Sequence, residues 1–187
     1  SIMNKLKLGV VGVGSVVREI YQYLYFNSHY SENLEIIAVA DPNEEYRNWF
    51  CNKYHIKENF RYESYEEMIT ECELDAAHIN TPDDLHLEPT LYCLNHGIDV
   101  QMPKPTSKKI KEVHLMIETA KKNNRIFGVD FHKRDDPRMI ELANRYKSGR
   151  YGELQIADWW MVDALKVSDP NYSPKFFASK DFAEKNN

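Results

Sequence analysis

The run Leu6-Lys-Leu-Gly-Val-Val-Gly-Val-Gly-Ser-Val-Val-Arg-Glu-Ile20 constrains this chain more than any other stretch. Leu6 to Val13 is almost wholly apolar, as a central strand buried on both faces of a parallel sheet must be, and the run stops where Gly12 and Gly14 fall. Helical spacing then takes over, with Val16, Ile20, Tyr23 and Leu24 expected on one apolar face. A strand, a glycine turn and a helix in that order suit a phosphate ligand. Glycines without Cβ let the backbone approach a dinucleotide's pyrophosphate, and the unpaired N–H groups at the helix start, around Ser15 and Val16, face it. Val17 holds the third position of G-x-G-x-x-G, where a small residue would let helix and strand pack closely, and this departs from the pattern.

The next apolar run, Leu34 to Ala40, ends at Asp41, at the tip of a predicted second strand where a carboxylate can hold an adenosine ribose diol. Asp41-Pro42-Asn43 also has the residue types of a turn and a helix cap, and the two readings are compatible. A helix is expected over about Glu44 to Tyr54, with Tyr46, Trp49, Phe50 and Lys53 along one face, and Arg61-Tyr62 makes a short extended piece. Ser64 to Glu67 reads as a capping box for a helix ending near Glu73. Leu74 to Asn80 is a further strand, broken by Thr81-Pro82-Asp83-Asp84 before a helix that stops at Gly97. Ile98 to Met102 is the fifth strand, Thr106-Ser107 caps a helix carrying Ile110, Val113, Met116, Ile117 and Ala120, and Arg125 to Phe131 is the sixth strand.

Strands and helices alternating at this spacing predict an α/β fold, a doubly wound parallel sheet with right-handed crossovers. Residues 3–132 are expected to form one dinucleotide-binding domain, and 133–187 a linker helix from Asp136-Pro137 to Ser148-Gly149 and the start of a second domain. Glu153 to Leu165 is read as extended, with Trp159 and Trp160 at an interface or in a sheet core. The helix-plus-sheet domain begun there needs more chain than follows, so a truncated form of a longer protein is expected. Net charge is −5 with both signs interspersed, which argues against nucleic acid as a partner. No apolar run approaches the ~18 residues of a membrane span and no signal peptide opens the chain, so a cytoplasmic protein is predicted. Cys51, Cys72 and Cys93 form no C-x-x-C pair and read as reduced structural thiols, and the seven His lack metal-ligand spacing.

In an open parallel sheet the ligand lies across the carboxyl ends of the strands. The residues there are Gly12 to Val16, Asp41, Asn80-Thr81-Pro82 with His86, Pro103-Lys104-Pro105, and His132-Lys133-Arg134. With Gly9-Val-Val-Gly-Val-Gly, Val39-Ala-Asp-Pro, Asp75-Ala-Ala-His-Ile-Asn-Thr-Pro-Asp-Asp-Leu-His86, Gly97-Ile-Asp-Val-Gln-Met-Pro-Lys-Pro105, Lys133-Arg-Asp-Asp-Pro137 and Gly149-Arg-Tyr-Gly-Glu-Leu154, the chain resembles the Gfo/Idh/MocA family of nicotinamide-dependent sugar oxidoreductases from residue 6 to about 156.

That resemblance implies a hydride transfer between a nicotinamide and a sugar, cyclitol or related polyol. Asn80, Thr81 and Pro82 would lie along the cofactor near its ribose and nicotinamide, and His86 beside them on the following helix, with helix-cap packing as its alternative. Lys104 would match the lysine of the family's Glu-Lys-Pro, touching the reacting hydroxyl and relaying a proton, which a lysine can do when desolvation brings its pKa toward neutrality. The family's Glu is Pro103 here, so the carboxylate that could orient Lys104 is lost. The Lys104-Pro105 bond is expected to be cis. Arg134 would lie near nicotinamide and substrate, with a salt bridge to Asp135 or Asp136 as the alternative. Asp41 with no Arg directly after it favours NAD over NADP, although Arg47 could reach a 2′-phosphate. Relatives carry an Asp and a His base in the second domain; the corresponding stretch here, Lys180 to Glu184, has Asp181 and no His, so the base is expected beyond residue 187. The same resemblance implies a homo-oligomer through the second sheet. Val17 and Pro103 favour an alternative, a non-catalytic NAD(P)-binding sensor of the same family.

Overall fold

Parallel strands cannot be joined by tight turns, so each step between neighbours needs a crossover segment, and the apolar runs here are separated by segments of that kind. The structure, a computed structural model, describes residues 5–158 and 160. Its six strands are β1 (Leu6–Val11), β2 (Leu34–Ala40), β3 (Arg61–Tyr62), β4 (Ala76–Ile79), β5 (Asp99–Pro103) and β6 (Phe127–Asp130), all parallel, in the order β3-β2-β1-β4-β5-β6. This is the doubly wound sheet expected from the sequence. The crest of the order, between β1 and β4, is the switch point where such sheets open a crevice at their carboxyl ends. The chain divides into two compact units after Asp130.

In the first unit, the α1 helix (Gln22–Asn27), preceded by a π-helical turn at Val17–Tyr21, and α2 (Glu44–Lys53) cover one face of the sheet. Leu8, Val10, Val17, Tyr21, Tyr25, Val39, Phe50 and Cys51 form the core there. On the other face α3 (Tyr65–Glu71), α4 (Leu87–Asn95) and α5 (Ile110–Lys122) pack Met68, Ile69, Cys93, Leu94, Met116 and Ala120 against Val11, Ala77, Ile79, Val100 and Met102. Full burial of such side chains is worth about 1.5–3 kcal/mol each, so these two clusters dominate the stability of the unit.

Three local expectations are corrected. The buried side of the first helix is Val17, Tyr21 and Tyr25, whereas Ile20, Tyr23 and Leu24 are 41%, 54% and 41% exposed. Residues four apart share a helix face, and the π-helical turn, which spends an extra residue, sets which set of four turns inward. The fifth helix starts at Ile110 and not at Thr106-Ser107: the Ser107 hydroxyl accepts from Lys109 N at 3.0 Å and donates to Glu112, closing a turn ahead of the helix. In the second unit, a 3₁₀ turn at His132–Asp135 leads to α6 (Pro137–Lys147), capped by Asp136, whose carboxylate accepts from Arg138 N at 2.9 Å. The expected strand over Glu153 to Leu165 is not formed by 153–158, and Trp159 and 161–165 lie outside the described set, as does Asp181. Trp160 is 86% exposed.

The first helix is fastened to the sheet by polar contacts under its buried face. Because Ala77 and Ile79 face α4, the alternation of β4 turns His78 and Asn80 toward the first helix. Tyr25 Oη sits 2.6 Å from His78 Nδ1 and accepts from Asn80 Nδ2 at 3.1 Å; one turn earlier, Tyr21 Oη donates to Asp130 Oδ2 at 2.7 Å. A neutral His78 whose Nδ1 accepts from Tyr25 satisfies all three groups at the Tyr25 hydroxyl. Burial alone pushes the His78 imidazole down to about 3.

His78 is therefore uncharged in the fold but takes up a proton when unfolded below its ordinary value of 6.5. Its contribution to stability is complete above pH 6.5 and declines as the pH falls toward 3, with a slope of about 1.4 kcal/mol per pH unit. Urea unfolding at pH 7.5 and pH 5 is expected to show a loss about 1–2 kcal/mol larger in the native protein than in His78→Asn, which lacks the titrating ring but keeps an amide for Tyr25.

Candidate nucleotide-binding site

The turn after β1 is built on a glycine that no other residue can replace without strain. Gly12 has φ +84°, and a Cβ there would lie 2.9 Å from the Asn80 carbonyl oxygen and 3.0 Å from its carbon. Gly12 N donates to Ala40 O at 2.8 Å and Asn80 N donates to Val11 O at 2.7 Å, so the turn is wedged between the tips of β2 and β4. Gly14 differs in kind. A Cβ there would meet only the Tyr46 ring, at 3.8 Å and beyond, and its backbone requires no special φ. The first intrahelical bond runs from Arg18 N to Gly14 O at 3.1 Å, so the N–H groups of Ser15, Val16 and Val17 precede the hydrogen-bonded helix. Val17, which departs from the small residue of the pattern, is fully buried in the core beneath the first helix.

Asp41 is 6% exposed and each of its carboxylate oxygens is used: Oδ2 accepts from Val13 N and Oδ1 from Asn43 N, both at 2.8 Å. Asn43 in turn caps α2, accepting from Tyr46 N. Both expectations for Asp41-Pro42-Asn43 thus concern one arrangement, because a carboxylate has about four acceptor sites and two backbone donors leave capacity for a hydroxyl. Arg47 is committed elsewhere: Nη1 donates to Asp41 O at 2.6 Å and Nη2 lies 3.7 Å from Glu63.

At the tip of β4, Asn80 is buried, with Nδ2 on Tyr25 and Oδ1 buried without a partner among the described residues. Thr81 is half-buried and Pro82 exposed. His86, at the start of α4, is 1% exposed and spends both ring nitrogens on backbone: Nε2 lies 2.9 Å from Thr81 O and Nδ1 3.2 Å from Thr106 O. After β5 the Lys104-Pro105 bond is cis, as expected, and Lys104 N donates to Asp130 O at 3.2 Å. The Lys104 side chain is exposed, so the desolvation expected around its ammonium is not provided by the strand tips of the first unit. In the second unit, Arg134 stacks on Phe131 with Cζ 4.9 Å from the ring centroid, and Asp136, one of the two carboxylates of the alternative ion pair, takes Arg138 at 2.8 Å. That pairing holds the Asp136 carboxyl down at about 2.

The strand tips of the first unit therefore bring together Gly12, Gly14, Ser15, Val16, Asp41, Asn80, Thr81 and Pro82 along the switch point. The sequence reading missed the Tyr25–His78–Asn80 contacts. Their signal was present: Tyr21 and Tyr25 lie four apart, and His78 and Asn80 alternate with apolar neighbours on a strand. Tyr25, buried, is pushed well above the usual phenol range by that burial and stays a neutral donor and acceptor.

The profile of the GFO_IDH_MocA oxidoreductase family, described by its NAD-binding Rossmann fold, matches residues 6–131. D-Glucoside 3-dehydrogenase of Escherichia coli strain K12 is 24% identical over 153 residues, covering 82% of this chain and 42% of the relative. Myo-inositol 2-dehydrogenase of Lactobacillus plantarum superposes with a TM-score of 0.73 at 24% identity, over 81% of this chain and 43% of that one. Scyllo-inositol dehydrogenase of Lactobacillus casei, solved with NAD(H) and scyllo-inositol bound, gives a TM-score of 0.71 at 20% identity, over 80% of this chain and 43% of that one. The match covers less than half the length of these proteins. Strand order, the glycine turn and the family profile agree, and the chain belongs to the Gfo/Idh/MocA oxidoreductase family.

Proposed function

We propose that this chain is the cofactor-binding part of an NAD-dependent dehydrogenase or reductase acting on a sugar, cyclitol or related polyol. The observation that carries the reading is Gly14: neither its backbone angle nor its packing calls for glycine, so the missing Cβ is explained by a ligand's approach to the helix start. The N–H groups of Ser15 and Val16 would receive the pyrophosphate, and Asp41 would accept from the adenosine ribose diol. A carboxylate at that position disfavours a 2′-phosphate, and Arg47, tied to the Asp41 carbonyl and Glu63, offers no counter-charge, which supports NAD over NADP. Asn80, Thr81 and Pro82 would run beside the ribose and nicotinamide, with the unpartnered Asn80 Oδ1 available to a ligand hydroxyl or amide.

When bound, NAD supplies the hydride acceptor or donor at its nicotinamide. Lys104 would donate a hydrogen bond to the reacting oxygen of the polyol and polarise it, while a base supplied by the substrate domain would take the hydroxyl proton. An exposed lysine becomes effective at that task once cofactor and substrate cover it. The relatives' sugar and inositol substrates support the polyol class. A homo-oligomer assembled through the second domain belongs to the same reading. The observation that favours a non-catalytic nucleotide sensor instead is the exposed Lys104 preceded by Pro103 in place of a carboxylate.

Titration with NADH and NADPH, followed by nicotinamide fluorescence, tests the cofactor reading. Gly14→Ala is expected to fold normally and lose NADH binding by about tenfold or more, whereas Gly12→Ala is expected to destabilise the fold itself by about 1–3 kcal/mol. Asp41→Asn keeps an acceptor for a backbone N–H and removes the charge, so it is expected to weaken NADH and narrow the difference from NADPH. Unchanged binding in Gly14→Ala would overturn the site. In a polyol oxidation assay of the protein with its substrate domain, Lys104→Met is expected to retain NADH affinity and lower kcat by roughly 10²–10⁴-fold; an active Lys104→Met would remove that residue from the chemistry, and no turnover on any polyol by the unsubstituted protein would favour the sensor.

A further inference from the structure

The loop after β4 and the loop after β5 are joined by one buried side chain. His86, at the start of α4, is 1% exposed, and its ring lies between the Thr81 carbonyl, at 2.9 Å from Nε2, and the Thr106 carbonyl, at 3.2 Å from Nδ1. Its own carbonyl accepts from Thr90 Oγ1 at 2.7 Å, and Thr90 is fully buried, so the residue is held by the first turn of α4. The neutral ring donates to one of the two carbonyls and the doubly protonated ring to both. The Lys108–Asp84 ion pair also links these loops, with side chains 38% and 56% exposed; a pair of that kind contributes at most about 1 kcal/mol.

Lys104 lies inside the segment so held. Its N–H is fixed by Asp130 O at 3.2 Å, and two residues on, Thr106 O faces His86. Its ammonium is exposed and has no hydrogen bond or ion pair among the described residues, so the placement of its side chain follows from the backbone that carries it. We propose that His86 is a positioning residue: anchored in the first turn of α4, it holds the Thr106 carbonyl through Nδ1 and thereby sets where Lys104 stands against a bound dinucleotide. The inference rests on the reading that Lys104 lies at the nicotinamide, and it replaces direct contact of His86 with the cofactor.

The two ring nitrogens can be separated by substitution, because the amide nitrogen of Asn falls near the position of Nδ1 and that of Gln near Nε2. His86→Asn keeps a donor for Thr106, and His86→Gln keeps one for Thr81. The readout is the rate of Lys104 acetylation by trace acetic anhydride in the full chain, measured by mass spectrometry with and without saturating NADH. NADH is expected to protect Lys104 in the unsubstituted protein and in His86→Asn, and protection is expected to fall about three- to tenfold in His86→Gln, the worth of one hydrogen bond, while NADH affinity changes less. Lys108→Gln, which removes the exposed ion pair, is expected to protect like the unsubstituted protein. Equal protection in His86→Gln, or equal loss in Lys108→Gln, would overturn the positioning role and leave the cofactor reading standing. NADH that binds yet protects Lys104 in no variant, the unsubstituted protein included, would overturn both. If circular dichroism shows His86→Gln unfolded, His86→Asn decides alone, since loss of protection in that folded variant contradicts a role through Thr106.

Discussion

The close backbone approach at the switch point, between Gly12 and the end of β4, is the constraint on which the rest depends. The turn after β1 passes so near the Asn80 carbonyl that a single added carbon would lie at 2.9 Å. That contact brings the tips of β1 and β4 together, and Ala40 and Asp41 close the other side through Gly12 N and Val13 N. With both flanks secured by backbone hydrogen bonds, the helix that follows must start where its free N–H groups face the crevice. A ligand there meets donors already oriented, and no chain entropy has to be spent ordering them when it binds.

The first helix then needs a fixed rotation, because its start is useful only if its N–H groups stay aimed. Two tyrosines one turn apart provide it, one to Asp130 on β6 and one to His78 on β4 and Asn80 just beyond it. Removing such a buried partner leaves an unsatisfied group at about 1–3 kcal/mol, which makes the arrangement specific as well as stabilising. Asp130 joins this set to the candidate chemistry: its side chain holds Tyr21 and its carbonyl holds Lys104 N. The helix that would bind phosphates and the loop that carries Lys104 are thus tied to the same residue of the same strand.

Much of the sheet was legible beforehand. Apolar runs broken by glycine and proline gave the order of strand tips, and Asp41, Asn80 and Lys104 were recognised by standing there. The first helix was read with Val16, Ile20, Tyr23 and Leu24 inward, and three of those four turned out to be exposed. Apolarity was a poor guide because the inward face is held by tyrosine hydroxyls as well as by carbon, and because the π-helical turn shifts the phase. The fifth helix starts later for a related reason: Ser107 has the residue type of a cap, and its hydroxyl closes a turn onto Lys109 N just ahead of the helix.

By itself the sequence determined the alternation of strands and helices, the glycine turn and the residues at each strand's carboxyl end, because apolar period and turn chemistry act over a few neighbouring positions and leave a local record. Only the tertiary structure decided that His78 is a neutral hydrogen-bond partner, that Asp41 holds the glycine turn, and that His86 faces two backbone carbonyls. Those contacts join residues 53, 28, 5 and 20 positions apart, and Tyr21 reaches Asp130 across 109. Pairings over such separations are selected by which surfaces the packed sheet brings together, and no periodicity along the chain encodes them.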